Sequence, residues 1–339
     1  MIPSMRPAPR AVRCVTRFGT RCATVLMAAL AMLPALAPAQ TWPARPIRLI
    51  VPYAPGGATD VMARLIAPRL TTDLGQNVFV ENRPGGASVI GTQAVATAEP
   101  DGYTLGFLDI AFATNPGLFK EKLPFDPLRD FAPISQVAIA PLVMVVHNSV
   151  PAKSVAEFLE YAKRNAGKVS YSSGGIGSGT HLAGEQFKVV TGTDILHVAY
   201  KGLAPGITAI VGGEVQLTFA TPSSIVQHIQ AGRVVPLAIL AGTRSSLLPN
   251  VPTVGDVGMA GLAASPFFGG FAPPRTPAPV LASLERAFVR FATDPEVQKQ
   301  LRGQGFEPVG SSSAAFGEFL RNEIARWNGV IAKANIKPE

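Results

Sequence analysis

Residues 46–74 run from a short apolar stretch through a pair of glycines into an amphipathic pattern, and the same order recurs along the chain. Ile47–Val51, apolar except for Arg48, reads as a buried strand. Gly56 and Gly57 let the backbone turn where a side chain would clash. Thr59 is then expected as a helix N-cap, and Asp60 suits the positive end of that helix. Free N–H groups at such a helix start form an anion site without a charged side chain. Further strands are predicted at Val78–Glu81, Thr104–Leu108, Leu142–His147, Val169–Tyr171, Ile195–Val198, Val215–Phe219 and Pro236–Leu240. Helical patterns follow most of them. Thr59–Leu74 contains Pro68, which is expected to kink or split it. Ser154-Val-Ala-Glu157 is a capping box opening a helix to Arg164. Phe316, Phe319, Leu320, Ile324, Trp327 and Ile331 mark one apolar face of a long C-terminal helix. Such alternation predicts an α/β protein with largely parallel strands.

The first 39 residues are expected to lie outside this fold. Arg6, Arg10, Arg13, Arg17 and Arg21 precede the apolar stretch Ala23–Ala37, and Ala37-Pro38-Ala39 before Gln40 fits a small-x-small cleavage site. The pattern predicts an exported protein with a removed signal peptide. Removing five arginines takes the whole-chain charge of +8 to about +3, so the basic balance belongs largely to the leader. No dense Lys/Arg run with interleaved aromatics points to nucleic acid. Both cysteines, Cys14 and Cys22, fall in the leader, which excludes disulfides and thiolate chemistry from the mature chain. Stability must come from a packed core, and about 300 residues are enough for two lobes.

Four segments share the layout of strand, small-residue loop and helix start: Tyr53–Thr59, Ser172–Thr180, His197–Gly202 and Ala220–Ser223. Asn82-Arg83-Pro84-Gly85-Gly86 is a fifth loop of similar type. Open α/β sheets bind ligands at the carboxyl ends of their strands, so these loops are expected to gather there. Taken singly, each is explained by turn formation; together they point to one site rich in hydroxyl and N–H donors. Signals for catalysis are weak. Gly177-Ser178-Gly179 resembles part of a nucleophile elbow, but Ile176 stands where the first glycine belongs. His147, His181, His197 and His228 form no metal-binding pair, and Asp60, Asp101 and Asp109 show no paired spacing. Neither a phosphate loop nor a complete dinucleotide fingerprint is present.

Several blocks resemble the substrate-binding receptors of tripartite tricarboxylate transporters, the Bug family. They include Arg45–Asp60, Val80-Glu-Asn-Arg-Pro-Gly-Gly86, Pro100-Asp-Gly-Tyr-Thr-Leu105 and Leu123-Pro-Phe-Asp-Pro127. Asp130-Phe-Ala-Pro-Ile134, His181-Leu-Ala-Gly-Glu185, His197–Gly202, His228-Ile-Gln-Ala-Gly232 and Val251-Pro-Thr-Val254 continue the resemblance, which spans 41–338. It implies a type II periplasmic-binding-protein fold with two Venus-flytrap lobes joined by two crossovers. Residues 40–139 and 265–339 would form lobe I, and 140–264 lobe II, with strands near Gln136–Ala140 and Phe267–Phe271 as pivots.

The resemblance further implies a monomeric periplasmic receptor, needing no cofactor, that delivers a small carboxylate to integral-membrane transporter subunits. Carried over by motif position, its ligand contacts would be Tyr53, Ala54, Gly56, Gly57 and Thr59 in the first lobe. In the second they would be Ser172, Ser173, Gly174, Thr180, Tyr200, Lys201, Gly202, Ala220 and Thr221. Two positions depart from the family pattern: Ala220 replaces a frequent aspartate, and Ala199 a frequent proline. Without an acid at 220 the expectation leans to a carboxylate lacking an amino group, with Asp109 as an alternative acid. A sensor for a membrane signalling partner, and an exported hydrolase using Ser178, are the competing readings.

Overall fold

The computed structural model describes residues 42–337 apart from Ile176 and Lys201. The leader, its cleavage point before Gln40 and the expected contact at Lys201 lie outside the described residues.

The chain first alternates β1 (Ile47–Val51), α1 (Ala58–Leu74), β2 (Val78–Asn82), α2 (Val89–Ala96), β3 (Thr104–Asp109), α3 (Ala111–Phe119) and β4 (Ala132–Ile139). A second series follows: β5 (Val143–His147), α4 (Val155–Arg164), β6 (Ser170–Ser173), α5 (Gly179–Thr191), β7 (Leu196–Ala199), α6 (Leu203–Gly212), β8 (Leu217–Ala220), α7 (Pro222–Gln230) and β9 (Val234–Ile239). The chain then continues through β10 (Phe267–Ala272), α8 (Ala278–Thr293), α9 (Pro295–Gly303), β11 (Glu307–Pro308) and α10 (Ser313–Lys333).

These strands form two sheets, ordered β2-β1-β3-β10-β4-β11 and β7-β6-β8-β5-β9. The sheets are mixed rather than purely parallel. β10 runs antiparallel to β3 and β4, and β5 runs antiparallel to β8 and β9. Apart from the short edge strand β11, both sheets have the same pattern: a parallel trio flanked by one reversed strand and one further strand. The chain crosses between sheets twice, after β4 and again between β9 and β10. The crossovers lie side by side: Ala140 N–H donates to the Pro266 carbonyl at 2.7 Å, and Leu240 N–H to that of Leu142 at 2.7 Å.

Local sequence explains most element ends. Gly57, not Thr59, caps α1, and Thr59 lies in the first turn. Pro68 does not split α1, which is continuous over Ala58–Leu74. Pro68 is on the exposed face, where water can satisfy the carbonyl that its missing N–H leaves free. Ser154 Oγ accepts from Glu157 N–H at 3.2 Å, while the Glu157 carboxylate takes the Lys153 N–H at 2.6 Å, one residue earlier than a standard capping box. Ser312 Oγ caps α10, whose Phe316, Leu320, Ile324, Trp327 and Ile331 are buried as their spacing predicts.

Packing ties these elements into lobes. Ile47, Leu49 and Val51 of β1 meet Met62, Ile66 and Leu70 of α1 and Phe288 of α8. A second core joins Phe112, Phe316 and Trp327 with Leu182, Phe187 and Phe219, so apolar packing continues from one sheet to the other. β10 passes through this region on glycines. A Cβ on Gly269 would lie 2.3 Å from the Phe316 ring, and one on Gly270 would lie 2.3 Å from the Phe288 ring. Truncating a ring such as Phe316 to alanine would cost about 3–5 kcal/mol, because close-packed neighbours cannot fill the space.

Candidate cleft between the lobes

The carboxyl ends of β1 and β3 face the start of α5 across a cleft of ≈ 420 Å³. Tyr53, Asp109, Ala111, Thr114 and Asn115 line one wall, Gly177, Ser178 and Gly179 the other, and Lys337 also borders the space. Strand ends supply Tyr53 and Asp109; α3 supplies Thr114 and Asn115; the α5 cap supplies the glycines and Ser178.

Asp109 organises the first wall. Tyr53 Oη–H donates to its Oδ1 at 2.7 Å and Thr59 Oγ1–H to its Oδ2 at 2.8 Å. The Ala111 N–H adds a third donor at 3.1 Å. Burial pushes the Asp109 carboxyl above its ordinary range, and these three donors oppose that rise. Burial and the adjacent Asp109 charge hold the Tyr53 phenol well above its ordinary value. Among the described residues, no Lys or Arg forms an ion pair with Asp109.

A second carboxylate stabilises the glycine turn from beneath. Asp60 Oδ2 accepts from Gly56 N–H at 2.9 Å and from Arg64 Nε at 2.9 Å, and Oδ1 accepts from Asn82 at 2.8 Å. Burial works against the Asp60 charge, but these bonds outweigh it and hold the carboxyl near 2. The Gly56 N–H and the Thr59 hydroxyl are therefore both engaged within the protein. Ala54 and Gly57 are exposed beside them, and a Cβ at Gly57 would meet nothing within 4 Å. The steric closeness expected of Gly57 is absent from this conformation.

The opposite wall is a helix start. Ser178 Oγ accepts from His181 N–H at 3.2 Å, and the Gly177 N–H donates to His181 Nδ1 at 3.1 Å. Gly179 and Thr180, in the first turn, have no intrahelical acceptor for their N–H groups. His181 stacks on His197 with ring centres 4.2 Å apart, and His197 stacks on Tyr171 at 4.9 Å. Burial lowers His181 to about 4, with His197 and Lys188 adding to the effect and Glu185 opposing it. Burial likewise lowers His197.

Of the residues anticipated in the second lobe, several are placed as structural supports. Ser172 is fully buried, its hydroxyl within hydrogen-bond reach of Gly206 O at 3.1 Å and Thr218 Oγ1 at 2.8 Å. Ser173 Oγ and His197 Nε2 are 2.6 Å apart, and Gly174 N–H donates to Thr180 Oγ1 at 2.9 Å. Gly202 N–H donates to Gly174 O at 3.3 Å, tying two of the loops together. The Tyr200 hydroxyl is directed to Glu214 at 3.4 Å. Ala220 is buried at the end of β8, and Thr221 donates to Ser224 Oγ at 2.9 Å beside the start of α7. Tyr53 is thus the anticipated contact that itself lines the cleft. The sequence offered no motif for Thr114, Asn115 or Lys337, whose approach to the cleft depends on how α3 and α10 pack.

Two lobes that share a donor-lined cleft define a solute-binding receptor. Residues 62–336 match the tripartite tricarboxylate transporter family receptor, and the chain belongs to that family. It is 36% identical over 300 residues to Protein BugT of Bordetella pertussis, covering 88% of this chain and 92% of that one. A structure of an R. palustris protein with adipate superposes with a TM-score of 0.72 at 34% identity, over 88% of this chain and 100% of that one. MatC from Rhodopseudomonas palustris with bound malate gives 0.68 at 28% identity, over 86% and 100%. The family is one of receptors rather than enzymes.

Proposed function

We propose that this protein is a periplasmic receptor that closes on a small carboxylate and delivers it to the membrane subunits of a tripartite tricarboxylate-type transporter. The observation that carries this reading is the cleft itself, in which the strand ends of one lobe face the open helix start of the other. A helix start favours a carboxylate through its free N–H groups and its dipole. The adipate and malate of the two R. palustris structures are small acids of the size such a cleft holds.

In this reading 40–139 with 265–339 moves as one lobe and 140–264 as the other, pivoting at the paired crossovers. Tyr53, Ala54, Gly57, Gly174, Thr180 and Gly202 come onto the ligand as the lobes close, while Ser173, Tyr200, Ala220 and Thr221 shape the loops behind them. The ligand stabilises the closed state by binding it more tightly than the open one. The receptor acts as a monomer with its signal peptide removed before Gln40.

A thermal-shift screen of carboxylic acids on the exported protein tests this. A ligand at about 100 times its Kd adds roughly 2.7 kcal/mol and raises the melting temperature. Small-angle scattering with the best acid should show a more compact particle. A panel without any shift, or scattering curves that superpose, would refute the reading. N-terminal sequencing that begins at Met1 would refute its export.

A further inference from the structure

The cleft has a charge problem. Among the described residues that line it, Asp109 alone is acidic; it accepts hydrogen bonds from Tyr53, Thr59 and Ala111 but has no described cationic partner. An anionic ligand entering beside Asp109 meets repulsion that donors already bound to Asp109 do not remove. The Arg64 charge is committed to Asp60, and Lys188 is committed to Glu185. Among the described residues bordering the cleft, Lys337 alone carries a positive side chain.

Lys337 reaches that position through a built turn. α10 ends at Lys333 with Ala334 as its C-cap, and Asn335 adopts a left-handed conformation at φ 51°. Asn335 N–H then donates to Ala332 O at 3.3 Å, and Ile336 N–H to Ile331 O at 3.1 Å. This bond pair is the Schellman arrangement, and asparagine is among the residues that tolerate its left-handed position. Ile336 packs back against the core that contains Ile331. The next residue, Lys337, thereby borders the space between α3 and the α5 cap, beside a larger hollow between α3 and α10. It also borders the neighbouring hollow that holds His181 and His197, so the segment runs past both walls of the second lobe's helix start.

We propose that Lys337 is a ligand-contacting residue that selects dicarboxylates over monocarboxylates. One ligand carboxylate occupies the helix start at Gly177–Gly179, and the second pairs with the Lys337 ammonium at the cleft border, away from Asp109. The inference rests on the receptor reading above and adds to it the number of charges on the ligand and the side chain that counts them. A lysine suits this role better than a rigid fork, because its flexible stem can follow a carboxylate through lobe closure.

The test is calorimetric titration of the mature protein and its Lys337→Gln and Lys337→Arg variants. The probes are carbon-matched pairs: succinate with butyrate, and adipate with hexanoate. Lys337 is exposed, so neither variant threatens the fold. The parent should prefer the diacid in at least one pair. Lys337→Gln should weaken that diacid by roughly fivefold, the scale of an exposed ion pair at its upper end. It should leave the monoacid within about twofold, and Lys337→Arg should restore the preference. Raising the salt concentration should shrink the parent's preference and leave the Gln variant's unchanged.

A parent that prefers neither diacid, or a Lys337→Gln variant that keeps the preference, overturns the proposal while leaving a carboxylate receptor intact. So does a Lys337→Arg variant that behaves like Lys337→Gln. A parent that binds none of the four probes overturns this proposal; if it also fails to bind the wider acid panel, the receptor reading falls with it.

Discussion

Mild acid should loosen this protein through His181, and the size of the effect follows from its surroundings. The ring is buried, stacked on His197, and accepts the Gly177 N–H through Nδ1, so the folded state holds it neutral. The groups facing it are His197, Glu185 and Lys188, and the net result is a drop from 6.5 to about 4. The unfolded chain takes up a proton at His181 as pH falls below about 6.5, whereas the folded chain does not until about 4. The stabilisation is therefore complete above about 6.5 and lost progressively down to about 4, a difference of about 3 kcal/mol. Protonating Nδ1 also ends its role as acceptor for Gly177, so in the folded protein the cleft wall itself loosens only as the pH approaches about 4. Urea unfolding at intervals from pH 7.5 to pH 4 measures the loss, and His181→Gln removes the titrating group. The parent should lose about 3 kcal/mol more than the variant across that window. Parallel losses, or an NMR titration placing His181 near its ordinary value, would refute the electrostatics of the stack.

Three further outcomes are expected. Gly184→Ala should destabilise by about 1–3 kcal/mol in thermal melts despite alanine's better helix propensity, because its Cβ would lie 2.1 Å from the Tyr171 ring. Gly57→Val should fold normally, since its Cβ meets open space at φ −76°, yet weaken carboxylate binding by about tenfold or more if lobe closure brings that turn onto the ligand; an unchanged titration refutes that role. Tyr53→Phe should cost about 1.5–3 kcal/mol in urea unfolding and raise the Asp109 carboxyl further in an NMR titration, because a charged acceptor loses one of its three donors.

Pattern made most of the parallel strands readable, through the near-continuous apolar runs of β1, β3 and β8 and the small-residue loops that follow the others. The central strand β10 was harder: Phe267-Phe-Gly-Gly-Phe-Ala272 has two glycines that would weaken a strand taken alone. Their reason is tertiary, since the Phe316 and Phe288 rings occupy the space a side chain would need. The crossover at this strand could be expected only from the family resemblance. For the cleft, sequence order anticipated the loops at Tyr53 and at Gly177–Gly179 that line it, but not which way their polar groups point. Ser172 and Thr59 look alike as loop hydroxyls, yet one is directed to Gly206 and Thr218 inside the lobe and the other to Asp109. Lys337 belongs to no motif, and its position depends on a turn two residues earlier together with the packing of α10.

The interleaving of β10 between β3 and β4 sets the order in which the chain can mature. When β4 has been synthesised, its sheet still lacks the strand that separates it from β3. That strand arrives only after the whole of the second sheet, whose five members are continuous in sequence from Val143 to Ile239. The later-synthesised lobe can therefore finish first, while the lobe begun at the N-terminus waits with unpaired strand edges. Those edges are the part of the nascent chain most exposed to wrong partners, and a holding chaperone would have most to cover there. A released chain truncated after Ala264, which keeps Leu248 and Val251 of that sheet's core, would be protease-resistant in its second half and sensitive in its first.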